Sequence, residues 1–244
     1  MNAHTKSALA ELIGTFTLVF IGAGAGATAG LSGIGIQGVA LAHGVALLVI
    51  VYAWGSVSGA HVNPAVTLGV AVTGRMPWGK AVLYWIAQFV GAVAAALLLK
   101  WLLGPDSNLG QTVGTMTPSH SQGTAGDPAK VIVIEAILTF FLLSAVFASG
   151  IFGRNGNVAG IAIGLVLTMD ILAGGALTGA SMNPARTFGP ALAVGDLTYF
   201  WMYLVGPAIG GVAGALLYDR VFLPEEQKAP VEAAREPGRR GRSK

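Results

Sequence analysis

HVNPAVT, from His61 to Thr67, and SMNPART, from Ser181 to Thr187, are one phrase written twice. Asparagine is a strong helix N-cap, and proline is favoured at the first helical position, where its missing N–H costs nothing. Each phrase therefore starts a helix, and each helix runs only a short way before a polar break, at Arg75 and at Asp196. About ten residues span roughly 15 Å, half of a roughly 30 Å hydrocarbon core. A lone Asn-Pro-Ala would be an ordinary loop-to-helix turn. Two copies in matching context point instead to a pair of re-entrant segments that meet at mid-bilayer.

The composition around them is that of an integral membrane protein. Of 244 residues, 54% are hydrophobic and only 10% charged, with a mean hydropathy of +0.69. Soluble domains carry about 25% charged residues. The 36 glycines suit helices packed closely in lipid. The absence of cysteine excludes disulfides, thiolate-bound zinc and thiol nucleophiles. The net charge of +3 gathers in the C-terminal tail and does not read as nucleic-acid binding. The apolar run from Ala8 is too long for a cleavable signal and contains Glu11, so it reads as a retained first span.

Six stretches are long and apolar enough to span: 8–30, 37–59, 79–103, 130–152, 157–177 and 199–222. With the phrases placed after the second and fifth spans, eleven basic residues fall on one side. They are Lys6, Arg75, Lys80, Arg154 and Arg220, with Lys228, Arg235, Arg239, Arg240, Arg242 and Lys244 in the tail. Lys100, Lys130 and Arg186 remain for the other side. The positive-inside rule then puts both termini in the cytoplasm. Residues 223–244 are expected to form a disordered basic tail, and 104–129 a long external loop rich in Gly, Ser, Thr and Pro.

The repeat extends beyond the phrase. ELIGTF from Glu11 matches EAILTF from Glu135, 124 positions on, and the phrases themselves lie 120 positions apart. Three spans and a re-entrant segment, repeated, must be inverted in topology, because three is odd. Inverted repeats place their site at the midplane, between discontinuous helices.

Over residues 8–222 these features together resemble the major intrinsic protein family, the aquaporins. The resemblance rests on the two Asn-Pro-Ala motifs, Glu11 and Glu135, and NPARTFGPA from Asn183 to Ala191. HVNPAVT and ILAGGALTGASMNPARTFGPA (from Ile171) are most similar to the plant tonoplast-intrinsic, ammonia-permeable subgroup. The resemblance implies an all-α membrane fold: a right-handed bundle of six transmembrane helices and two re-entrant half-helices. It also implies a single channel domain over 1–222, with a first repeat of about 8–103 and a second of about 130–222, assembled as a homotetramer. A passive channel of this kind has no cofactor and no metal and is not an enzyme; its partners are water, small neutral solutes and the lipid bilayer.

The physics of the phrase suits such a pore. Asn63 and Asn183 would cap the half-helices at the pore centre, each presenting an amide NH2. Two helix N-termini, each worth about half a positive charge, would face the same point and repel cations. As in aquaporin-type pores generally, lining donors and half-helix dipoles then orient a single file of water and exclude protons. Arg186 is a charge inside a membrane segment, a functional candidate by default, where the family places its filter arginine. The bland alternative is an ion pair with Asp170.

The remaining filter positions implied by the resemblance are His43, Ile171 and Ala180. The strictest water channels resemble Phe, His and a small residue at these three places. Ile171 in place of a donor ring removes a hydrogen bond and widens the constriction, and the resemblance to His-Ile-small-Arg filters of the plant subgroup implies passage of ammonia beside water, with urea and hydrogen peroxide as further candidates. His120, fifteen residues before Glu135, corresponds to a pore-mouth histidine in ammonia-conducting relatives; its bland reading is an exposed loop side chain. His61 is read as bracing its loop. The resemblance implies that Glu11 and Glu135 are structural supports accepting N–H bonds from the re-entrant loops, rather than proton-coupling acids. Asp170 has no role in this scheme.

Two other functions stay open at this stage. Glycerol facilitators resemble Asp directly after the filter arginine and a basic residue four further on, whereas this chain has Thr187 and Ala191. Tyr203 also fits a water channel, while Leu204 replaces a Trp common there. A secondary transporter shares inverted repeats and broken helices but needs ion-coupling charges, and none beyond Arg186 falls on the pore.

Overall fold

The structure, a computed structural model, describes residues 1–114, 127–151 and 158–223. His120, Arg154 and the tail beyond Leu223 lie outside the described residues. Eight helices form among the rest: α1 (Ala3–Ser32), α2 (Gly35–Ser58), α3 (Pro64–Val72), α4 (Trp78–Leu103), α5 (Pro128–Ile151), α6 (Ala159–Thr178), α7 (Pro184–Val194) and α8 (Phe200–Phe222). Six are long and apolar enough to cross a membrane. The other two, α3 and α7, have 9 and 11 residues and reach about halfway across a bilayer core.

The first span begins at Ala3, ahead of the apolar run. Asn2 explains the difference: its side-chain oxygen accepts from Thr5 N–H at 2.9 Å, so a capped polar turn precedes the hydrophobic stretch.

Inside the bundle, helices approach where side chains are absent. A Cβ on Gly91 of α4 would collide with the Leu12 carbonyl of α1. In the second repeat, one on Gly210 of α8 would collide with the Ala136 carbonyl of α5. Between repeats, α2 meets α6 at Gly44 and Gly164, where an added Cβ on either would stand 2.5–2.6 Å from the other's carbonyl oxygen. The half-helices cross over: a Cβ on Gly69 of α3 would lie 3.1 Å from Gly211 O of α8, and one on Gly189 of α7 lies 2.5 Å from Ala92 O of α4. Each repeat thus holds the other's short helix. Outward, α2 and α6 present Leu41, Val45, Val49, Leu165, Met169 and Leu172, an apolar surface suited to hydrocarbon.

Candidate functional site

The two short helices begin at the same place. Asn63 Oδ1 accepts from Ala65 N–H at 2.8 Å, and Asn183 Oδ1 accepts from Ala185 and Arg186 N–H at 3.0 and 3.2 Å. Each amide then reaches across: Asn63 Nδ2 donates to Met182 O and Asn183 Nδ2 to Val62 O, both at 2.8 Å. Every amide NH2 has two N–H groups, so one on each asparagine has no partner among the described residues. The sequence places an amide NH2 of each asparagine at the pore centre but does not say how its two N–H groups are used. In the structure the backbone of the opposite repeat takes one N–H of each.

Those carbonyls are aimed by unusual backbone. Ala60 and Val62 before α3, and Ala180 and Met182 before α7, have φ between 42° and 52°. Left-handed backbone at a β-branched residue such as Val62 is costly and persists only where surrounding bonds enforce it. Glu11 enforces it in the first repeat, accepting from His61 N–H at 2.9 Å, Val62 N–H at 2.6 Å, Ser58 Oγ at 2.7 Å and Gln88 Nε2 at 2.8 Å. Glu135 accepts the matching set: Ser181 N–H at 3.1 Å, Met182 N–H at 2.7 Å and Thr178 Oγ1 at 2.6 Å. Tyr84 and Tyr203 donate their hydroxyls to Ser58 O and Thr178 O respectively. His61 Nδ1 sits 3.1 Å from Thr67 Oγ1, and Ser181 Oγ sits 2.6 Å from Thr187 Oγ1.

Arg186 is 5% exposed. Its Nε donates to His43 Nε2 at 3.3 Å and its Nη1 to Gly110 O at 2.8 Å. His43 Nδ1 lies 2.9 Å from Val39 O, which can only accept. The tautomer that satisfies both contacts carries its proton on Nδ1 and turns the Nε2 lone pair to the arginine. Gly110 is the residue that sequence reasoning missed. Its φ of +66° and the lack of a Cβ let the external loop press against the Ala23 carbonyl and deliver an acceptor to Arg186. Only a long glycine-containing loop marked that region in the sequence.

A cavity of about 240 Å³ joins these groups. It extends from His43 and Arg186, past Asn63 and Asn183, to Gly150 and Ala159 near the other end of the bundle. Leu47, Val51, Val66, Leu142, Val146 and Ile163 make its sides apolar, so little on the walls competes for a water's hydrogen bonds. His61 also stands in this wall. Ile171 and Ala180, each 2% exposed, are buried but are not among the residues that line this cavity.

Asp170 does not pair with Arg186. It is 1% exposed, and neither carboxylate oxygen has a hydrogen-bond partner among the described residues. Nothing in the structure explains it.

The sequence profile of the major intrinsic protein family matches residues 1–218. The chain belongs to the major intrinsic protein family. It is 40% identical over 242 residues to aquaporin TIP2-1 of Arabidopsis thaliana, covering 95% of this chain and 93% of that one. It is 43% identical over 235 residues to aquaporin TIP4-4 of Zea mays, covering 93% and 90%. Among solved structures it is similar to the aquaglyceroporin from Plasmodium falciparum, with a TM-score of 0.78 and 25% identity over 90% of this chain and 97% of that one. This member of the family is therefore an integral, multi-pass membrane channel for water and small solutes, with the aquaporin fold.

Proposed function

We propose that the chain is a passive, proton-excluding channel that carries water in single file through the 240 Å³ cavity, and ammonia with it. The observation that carries this reading is the pair of asparagine amides, each with one uncommitted N–H, in the wall of an otherwise apolar passage. A water between them accepts from both and turns its hydrogens outward, and the two helix N-termini repel hydronium and metal cations. Arg186 and His43 set charge and size exclusion at the outer end of the cavity, and the family resemblance assigns Ile171 and Ala180 to the same filter, although neither lines the cavity itself. An isoleucine at this filter position offers no donor, which favours a neutral solute as small as ammonia over strict water selectivity, with urea and hydrogen peroxide as further neutral candidates. His120 is assigned to the outer mouth as an ammonium-deprotonating group. Both termini face the cytoplasm, and four copies assemble with one pore each.

Stopped-flow light scattering on proteoliposomes tests this reading, with osmotic shrinkage and ammonia-driven internal alkalinisation read in one preparation. Fast flux of both is expected. Ile171→His is expected to reduce ammonia permeability relative to water; equal loss of both, or no change, counts against the filter assignment. Fast water alone removes the ammonia claim.

The similarity to an aquaglyceroporin favours a second reading, a glycerol facilitator. Glycerol-driven reswelling as fast as water flux would select it. Thr187, whose hydroxyl is already engaged by Ser181 and by Thr112 at 3.0 Å, leaves no carboxylate beside Arg186 to receive a polyol.

A further inference from the structure

A second cavity, of about 270 Å³, opens on the outer flank of the bundle, behind the pore centre. Pro64 and Pro184 form its back, Trp85 and Phe89 one side, and Leu204 and Ala208 the other. The two prolines are the first residues of α3 and α7, so the groove lies at the depth where the half-helices meet, the bilayer midplane. Its one side-chain polar atom, Trp85 Nε1, is committed to Pro64 O at 3.1 Å.

The groove is a break in the internal repeat. Tyr84 and Tyr203 occupy matched positions, since each donates its hydroxyl to the carbonyl that precedes a re-entrant phrase. On that register Trp85 corresponds to Leu204, and Phe89 to Ala208. The second repeat therefore carries two smaller side chains where the first carries two aromatic rings, and the missing volume is left open.

We propose that this groove seats the distal methylene segment of one phospholipid acyl chain, held against the back of the pore centre. Three observations select that occupant. The walls offer no free polar partner, which suits hydrocarbon and no headgroup. The mouth is continuous with Ile86 and Val90 of α4 and Val205 and Ile209 of α8, all 38–59% exposed, in the apolar belt that faces lipid. The volume lies below the roughly 300–1,000 Å³ typical of sites for whole drug-sized ligands. The chain end would rest on Trp85, the side chain that also holds the Pro64 carbonyl at the start of α3.

The full chain has 5 tryptophans. Replacing Trp54, Trp78, Trp101 and Trp201 by Phe leaves Trp85 as the sole emitter. This protein is reconstituted in phosphatidylcholine brominated either near the chain ends or near the ester carbonyls. Deep bromines are expected to quench Trp85 more strongly than shallow ones. Ala208→Phe, and separately Leu204→Phe, fill the groove and should each remove most of that deep quenching; monodisperse elution of each variant reports the fold. Deep quenching unchanged in both filled variants means chains only brush the belt, and the proposal fails. It fails also if the unfilled groove is quenched weakly. In that case an oxidative cross-link between copies through Ala208→Cys, in a chain with no native cysteine, identifies a second copy as the occupant, and no cross-link means an empty groove.

Discussion

Glu11 and Glu135 each collect, on two oxygens, backbone donors that hydrocarbon would leave bare. Glu135→Ala strands the N–H groups of Ser181 and Met182 and the hydroxyl of Thr178, at a cost of roughly 3 kcal/mol or more. The thermal midpoint in detergent should fall well below that of Glu135→Gln, which keeps an acceptor oxygen in place. Equal midpoints for the two variants would mean that the carboxylate does not organise the loop. The two positions were legible in the sequence as acids inside apolar spans, recurring 124 positions on, while their loop-supporting role came from the family resemblance. The place of Arg186 was equally legible, one position beyond Asn-Pro-Ala. Its partners His43 and Gly110 lie 143 and 76 residues away, and no local pattern encodes which carbonyl a folded loop will present.

Among the elements, the half-helices were the most readable, since an N-cap asparagine and an N1 proline state where a helix starts. Where such a helix ends, and what receives its last carbonyls inside the membrane, is decided by a neighbour. Lys100 near the end of α4 donates from Nζ to Ala193 O at 2.6 Å, placing a cation at the negative end of α7. Lys100→Met should lower stability by about 1–2 kcal/mol, with Lys100→Arg recovering part of it. An unchanged thermal midpoint in Lys100→Met would sink this assignment. On the sequence Lys100 was only one external charge among three. Its contact became visible once α7 was seen packed against α4.

For the whole molecule, the two repeats meet directly where α2 and α6 touch through Gly44 and Gly164. Gly164→Val would drive a branched side chain into Leu48 and the Gly44 carbonyl, and overpacking of this kind costs about 1–3 kcal/mol. Loss of monodisperse protein, or a lowered thermal midpoint, is the expected result. A variant as stable as the parent would show that the contact gives way easily. The inward crossing of the short helices has a consequence in time. Asn63 donates to a carbonyl 119 residues later, and Asn183 to one 121 residues earlier. At a synthesis rate of roughly 5–20 residues per second, the first asparagine is joined to the chain about 6–24 s before its acceptor is. Through that interval α3 has a bare amide and an unopposed positive helix end, so the first half of the molecule waits for the second before its middle can close.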